Sequence, residues 1–193
     1  MARAASTSLL YLALVLLLMP VSLAAGGQVL CRSEADDIAA LQMFNRSVNA
    51  YVELHRRLEV ALSPLRICSD PEAMAAARER LANAIRAERP DAVRGNIFVP
   101  EVADLFRVRM LAAGEERDGE DVPAGLAREI ASCAPVPAVN SRFAWAGSAP
   151  IGEALERALP VLPLELQYRV SGRALVLVDV SADLVVDVLV AFR

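Results

Sequence analysis

His55 is the only histidine in the chain and the first residue to consider for acid–base chemistry. A histidine base needs a nucleophile and an orienting acid within hydrogen-bond reach. On a helix, Glu59 would lie one turn away and accept a hydrogen bond from it. The sequence contains no G-x-S-x-G, P-loop or H-E-x-x-H motif. It therefore favours a partly buried, hydrogen-bonded histidine on a helix over a catalytic base.

Three aspartates, Asp179, Asp183 and Asp187, follow one another at intervals of four residues and invite a calcium-site interpretation. Calcium takes six or more oxygen ligands, and no other acidic side chain lies close to them in the sequence. We therefore expect solvated carboxylates at a turn and at strand edges. The sequence predicts neither a metal site nor a bound cofactor.

The three cysteines, Cys31, Cys68 and Cys133, are too far apart in sequence to form a recognisable zinc motif. In an oxidising compartment they permit one disulfide. A continuous helix of ~33 residues between Cys31 and Cys68 would span about 50 Å, far beyond the reach of a disulfide. Either Cys133 pairs with Cys31 or Cys68, or all three stay reduced.

Phe143 and Trp145 lie in an aperiodic stretch rich in Pro, Gly, Asn and Ser, and Tyr168 lies in the first predicted strand beyond it. These three aromatic residues are the candidate contacts for a ligand or partner. The alternative for Phe143 and Trp145, which we favour, is a plug that fills the junction between helices and sheet.

The elements that position these residues start with helices. Ser33 and Asp36 have the spacing of a capping box, and Asp70-Pro71 has the pattern of a helix start. Similar apolar seams predict a long antiparallel hairpin of the first two helices. Helices are predicted at 33–66, 70–89, 100–113 and 126–133, with a shorter one at 151–159.

Beyond Pro163 the apolar pattern changes from a helical period to alternation and to valine-rich runs, which indicates strands. Strands are predicted at 166–170, 174–180 and 184–192, paired as an antiparallel meander with one face on the helices. The fold class is α+β, a helical layer closed by this meander. We expect one domain over 33–193, mainly helical over 33–133, with a loop at 134–150 and the short helix and meander at 151–193.

Arg3, an apolar run at 9–19 and the small residues of Ser22-Leu23-Ala24 have the order of a secretory signal peptide. We expect cleavage after Ala24 or Ala25, a short linker at 25–32, and a periplasmic or secreted protein. The alternative is an uncleaved N-terminal helix that anchors the chain in the inner membrane. The chain is acidic, with net charge -4 and no basic run, which argues against nucleic-acid binding.

Several stretches have a familiar pattern: GNIFVPEV (95–102), VNSRFAW (139–145) and PVLPLELQYR (160–169), continued by GRALVLVDV (172–180) and LVVDV (184–188). Together they resemble a group of short secreted bacterial proteins of unknown function, a resemblance that implies no activity or catalytic residues. The C-terminal strands alone are similar to the tail of periplasmic nickel and cobalt homeostasis proteins. A single histidine does not match a nickel binder, so that metal role is not carried over.

The leading hypothesis is an exported, non-enzymatic module that binds or scaffolds a cell-envelope protein or another periplasmic ligand. Its contact surface would be the exposed flank of the helical layer or the edge of the meander. The alternative is a small secreted hydrolase that uses carboxylates in a pocket near Phe143 and Trp145.

Overall fold

The computed structural model describes residues 32–62, 70–115 and 135–190. Its first helix, α1 (Glu34–Ala61), begins at the predicted capping box. The Asp36 amide donates to Ser33 Oγ at 3.2 Å, and the Ser33 amide donates to Asp36 Oδ2 at 3.2 Å. The prediction that this helix reaches residue 66 is wrong. It ends at Ala61, because Pro64 cannot donate a helical hydrogen bond and disfavours helix at the residue before it.

Three further helices follow, α2 (Pro71–Glu88), α3 (Pro100–Glu115) and α4 (Glu153–Ala158). Asp70 caps α2 as predicted, since its side chain accepts a hydrogen bond from the Glu72 amide at 3.0 Å. Both α2 and α3 pack against α1, and α4 packs against α3. The helix predicted at 126–133, the three cysteines and the expected leader lie outside the described residues.

The sheet has four antiparallel strands in chain order, β1 (Ser148–Pro150), β2 (Leu166–Ser171), β3 (Ala174–Asp179) and β4 (Leu184–Val190). The α+β class is therefore confirmed. Strand β1 was missing from the sequence interpretation, which gave 134–150 as loop. Three residues ending in proline produce no alternating pattern, and only pairing with β2 makes this segment a strand.

Both faces of the sheet are covered, one by the helices and the other by the segment through Phe143. On the helix face, Leu175 and Leu177 join an aromatic cluster in which Phe44 lies 4.9 Å from Phe106 between ring centroids. On the opposite face, Val176 and Val178 pack against Phe143. Strands buried on both faces are continuously apolar rather than alternating, as β3 and β4 are here.

A β-bulge in β4 directs one polar side chain towards the helices. Leu177 pairs with Asp187 and Val178 pairs with Val185, so Val186 is an extra residue in this strand. Val186 belongs to the core on the helix face, while Val185 and Val188 belong to the core on the opposite face. The bulge thus places Asp187 on the helix face, where strict alternation would have placed it opposite.

The outer edge of β4 is covered by other parts of the chain. Asn140 N donates to Val185 O at 2.8 Å, and Val185 N donates to Ser141 O at 3.0 Å. Arg89 adds a longer hydrogen bond to Val186 O at 3.3 Å. At these residues the outer edge of β4 is therefore not a free pairing surface.

Within the described part of the chain, no helix combines the length and apolar character needed to cross a membrane.

Candidate functional site

A buried polar cluster joins α1 to the end of β3 through Tyr51, His55 and Asp179. Tyr51 and His55 are four residues apart, so they lie on the same face of α1. Tyr51 donates from its hydroxyl to Asp179 Oδ2 at 2.7 Å. His55 Nδ1 lies 2.6 Å from the same oxygen, and because an ionised carboxylate only accepts, Nδ1 is the donor.

The other carboxylate oxygen of Asp179 organises the turn between β3 and β4. Asp179 Oδ1 accepts hydrogen bonds from the amides of Ser181 at 3.0 Å and Ala182 at 2.9 Å. Asp179 therefore receives four donors, two from α1 and two from its own turn, although its side chain is fully buried. This satisfies the hydrogen-bonding need of a buried carboxylate, and it ties the helix to the sheet.

The second ring nitrogen of His55 faces acidic side chains. His55 Nε2 lies 3.7 Å from Glu59 Oε2, which confirms the expected proximity to Glu59, but it makes no hydrogen bond within the described structure. Glu165, just before β2, also acts on His55 electrostatically and is held by Arg56 Nε at 2.6 Å. Nε2 is itself shielded from solvent, so a substrate cannot reach it in this conformation.

These surroundings shift several pKa values. Burial acts to lower the pKa of His55, but the hydrogen bond and charge of Asp179, assisted by Glu59 and Glu165, outweigh burial and raise it above 6.5. Burial and the neighbouring Asp179 raise the pKa of Tyr51 well above 10. Burial acts to raise the pKa of Glu165, yet its hydrogen bonds and the charge of Arg56 lower it below 4.5.

Asp187 forms a second buried carboxylate centre that holds the loop before α3. Its Oδ2 accepts from the amides of Ile97 at 2.6 Å and Phe98 at 2.8 Å. Its Oδ1 accepts from the amides of Gly95 at 2.8 Å and Val188 at 2.7 Å. Gly95 has a φ of 89°, a left-handed conformation in which a side chain would be strained.

The candidate aromatic residues are distributed over both sides of the sheet. Phe143 is buried on the face away from the helices, and Trp145 meets it edge-on with ring centroids 5.1 Å apart. Tyr168 is buried on the helix face beside Phe44 and Phe106, where burial raises its pKa. The structure therefore does not bring the three together. The expected plug at the helix–sheet junction is also wrong for Phe143, which packs on the opposite face.

Trp145 is the one of these three aromatic side chains that reaches solvent, with 38% of its surface exposed. Its Nε1 donates to Asp183 Oδ1 at 2.7 Å, and the Arg169 guanidinium lies 5.3 Å from its ring centroid. Asp183 also faces Arg78 at 3.5 Å. The structure thus assigns Asp183 to anchoring the tryptophan ring.

The expectation that all three aspartates are solvated is wrong, since Asp179, Asp183 and Asp187 are all buried. The tight packing and the bulge that bury them depend on contacts with residues far away in the sequence. Over the described ranges 32–62, 70–115 and 135–190, no cluster of three or more His, Cys, Asp or Glu side chains is placed to hold a metal ion. The cysteine pairings lie outside these ranges and stay predictions.

No protein-family model matches the chain, and neither a curated protein nor a solved structure is significantly similar to it. The resemblance to short secreted bacterial proteins therefore stays a prediction.

Proposed function

We propose that this protein is an exported, non-enzymatic module that binds a protein of the cell envelope. The main support is a pair of aliphatic side chains, Val161 and Leu164, which are 94% and 95% exposed. Full exposure of two large apolar side chains three residues apart leaves about 1.5–3 kcal/mol of burial free energy unused at each. A partner that covers them would recover that free energy.

Two prolines restrict the backbone around these side chains. Residues 160–164, which we name the proline ridge, contain Pro160 and Pro163, whose rings fix φ. A residue before proline is restricted to extended conformations, and Leu159 has φ -99° and ψ 156°. The Leu166 amide closes the segment by donating to Pro163 O at 3.0 Å. A surface that is already ordered loses little conformational entropy on binding.

The side chains of the proline ridge differ in exposure, and Leu164 lies in the turn that the Leu166 amide closes on Pro163 O. Leu159 and Leu162 pack against the core on the helix face, while Val161 and Leu164 point outwards. The ridge therefore presents a narrow apolar edge. The partner that fits it is a protein with a shallow apolar groove, rather than a small polar ligand.

The buried acidic residues support a binding role over a carboxylate-dependent hydrolase. Asp179 and Asp187 each accept four hydrogen bonds from this chain, and Asp183 anchors Trp145. Hydrolysis by a carboxylate pair needs two groups that face substrate across a gap. The hydrolase with a pocket near Phe143 and Trp145 thus has less support.

We also infer that β2 to β4 form the predicted closing meander, because these strands pair in chain order. The contacts between α1 and α2 do not support the antiparallel hairpin predicted from their apolar seams. The Arg57–Glu88 ion pair, with 3.0 Å between Nη2 and Oε2, joins the C-terminal part of α1 to the C-terminal end of α2, and Arg89 lies over the Tyr51 ring. An antiparallel hairpin would instead bring the C-terminal part of α1 to the start of α2.

Site-specific photocrosslinking in intact cells tests the proposed contact surface. A photoreactive p-benzoylphenylalanine replaces Val161 or, as a matched control, Val108 on α3, an aliphatic residue that is 57% exposed. We expect a discrete adduct with an envelope protein from position 161 and none from position 108. Adding Leu164→Ser should reduce the yield from position 161 severalfold, whereas adding Leu111→Ser should leave it unchanged.

Adducts of equal yield from positions 161 and 108, or no adduct from position 161, would overturn the proposed surface. Hydrolytic activity that is lost in Asp183→Asn while the fold persists would favour the enzyme instead.

A further inference from the structure

His55 lies where α1, the end of β3 and the segment before β2 meet, and each of these elements contributes a carboxylate. Asp179 Oδ2 is 2.6 Å from Nδ1, and Glu59 Oε2 is 3.7 Å from Nε2. Glu165 adds a third negative charge from the segment before β2. Three carboxylates around one imidazole favour its protonated form.

The remaining polar groups near His55 do not reverse this preference for the protonated imidazole. Arg56 neutralises part of the charge of Glu165 through an ion pair with 2.6 Å between Nε and Oε1. Tyr51 shares Asp179 Oδ2 as a neutral donor, because its pKa is raised. The guanidinium of Arg89 lies 5.0 Å from the ring centroid of Tyr51. Its contact is thus with the Tyr51 ring and not with the His55 imidazole.

The neutral form of His55 leaves one polar atom unsatisfied. With the proton on Nδ1, the lone pair of Nε2 is an acceptor, yet it is buried and makes no hydrogen bond. Protonation adds an N–H at Nε2, which lies at the ion-pair distance of 3.7 Å from Glu59 Oε2, and places a positive charge between two carboxylates. Attraction between this charge and the two carboxylates then offsets the burial of Nε2.

We propose that His55 is a proton-operated clamp that fastens α1 to the β3–β4 turn when it is protonated and loosens this contact when it is neutral. The clamp acts through Asp179, since the same carboxylate holds His55 and Tyr51 on α1 and the amides of Ser181 and Ala182 in the turn. Losing the imidazolium weakens the attachment of the helix at this point without changing the fold elsewhere.

The sign of the pH dependence follows from the raised pKa of His55. A group whose pKa is higher in the folded protein binds protons more tightly there, so the unfolded chain releases its proton first. The stabilisation is fully present below about 6.5, the ordinary histidine value, and is lost as the pH rises through the folded value. The lowered pKa of Glu165 acts oppositely but only below about 4.5.

Nuclear magnetic resonance titration of the imidazole tests the clamp directly, because the chain contains one histidine. We expect its pKa to exceed 6.5. Glu59→Gln should lower this pKa by about half a unit, less than the full Coulomb interaction because Glu59 is partly exposed. Glu53→Gln, an exposed carboxylate on the same helix, is the matched control and should leave the pKa unchanged.

Amide hydrogen exchange in α1 supplies the second readout. After correction for intrinsic exchange, the amides between Tyr51 and Leu58 should exchange about tenfold faster above the His55 pKa than below it, while amides in β3 keep their rates. In His55→Gln the extra pH dependence should disappear. A His55 pKa at or below 6.5, or the same pH dependence in His55→Gln, would overturn the proposal.

Discussion

At the scale of single residues, the fold depends on buried carboxylates that bind backbone amides. Asp187 is the clearest case, since two of its amides, Ile97 N and Phe98 N, belong to a loop about ninety positions away along the chain. An uncompensated buried charge would be very costly, but four hydrogen bonds to amides compensate it. The Asp187 carboxylate thus accepts the backbone hydrogen bonds of the loop before α3 that a neighbouring strand would otherwise accept.

Asp187→Asn should therefore destabilise the protein by about 3 kcal/mol, because the amide would turn an NH2 donor towards backbone donors. Urea unfolding with an unchanged m value measures the loss. Asp104→Asn, an exposed aspartate on α3 that pairs with Arg107, is the control and should change stability by less than about 0.5 kcal/mol. Equal effects of the two substitutions would show that Asp187 does not hold the loop.

At the scale of elements, the segment through Asn140 covers the outer edge of β4, the edge that does not pair with β3. Asn140 has a φ of 62°, a left-handed conformation, and its Nδ2 donates to Arg89 O at 2.8 Å. Arg86 Nε donates in turn to Asn140 O at 2.9 Å. Asparagine suits this position because it tolerates the left-handed region and supplies a side-chain donor.

We expect Asn140→Ala to destabilise the protein by about 2 kcal/mol, through the lost hydrogen bond and a strained backbone. Asn140→Gly keeps the backbone unstrained and should be less destabilised than the alanine variant by about 1 kcal/mol. Light scattering should also show concentration-dependent association of Asn140→Ala, because the β4 edge becomes accessible. The reverse stability order would show that backbone conformation does not govern this segment.

At the scale of the whole molecule, the predicted leader determines where the cysteines reside. If export removes residues 1–24, the mature chain keeps all three cysteines in an oxidising compartment. Mass spectrometry of the protein from the envelope fraction should then show a mature N-terminus near residue 25. Thiol titration under denaturing conditions should find one free thiol or, if no disulfide forms, three. A chain that still begins at Met1 would contradict cleavage.

Local features were predictable from the sequence because their causes lie within a few residues. The Ser33–Asp36 capping box, the Asp70 cap of α2 and the three later strands belong to this class. The partnership of His55 with Asp179 was not predictable, because 124 residues separate them. The position of Asp187 also required knowledge of the bulge, since simple alternation assigns it to the wrong face.

The distant partners of Asp179 and Asp187 have a consequence for the order of folding. The carboxylate that binds Tyr51, Asp179, is synthesised 128 residues after it. The carboxylate that binds the Gly95 amide, Asp187, is synthesised 92 residues after Gly95. The anchor of α1 is therefore absent until β3 has been synthesised, and the anchor of the loop before α3 is absent until β4 follows. Contacts of such long range slow folding, so we expect these anchors to form late, after most of the chain has been synthesised.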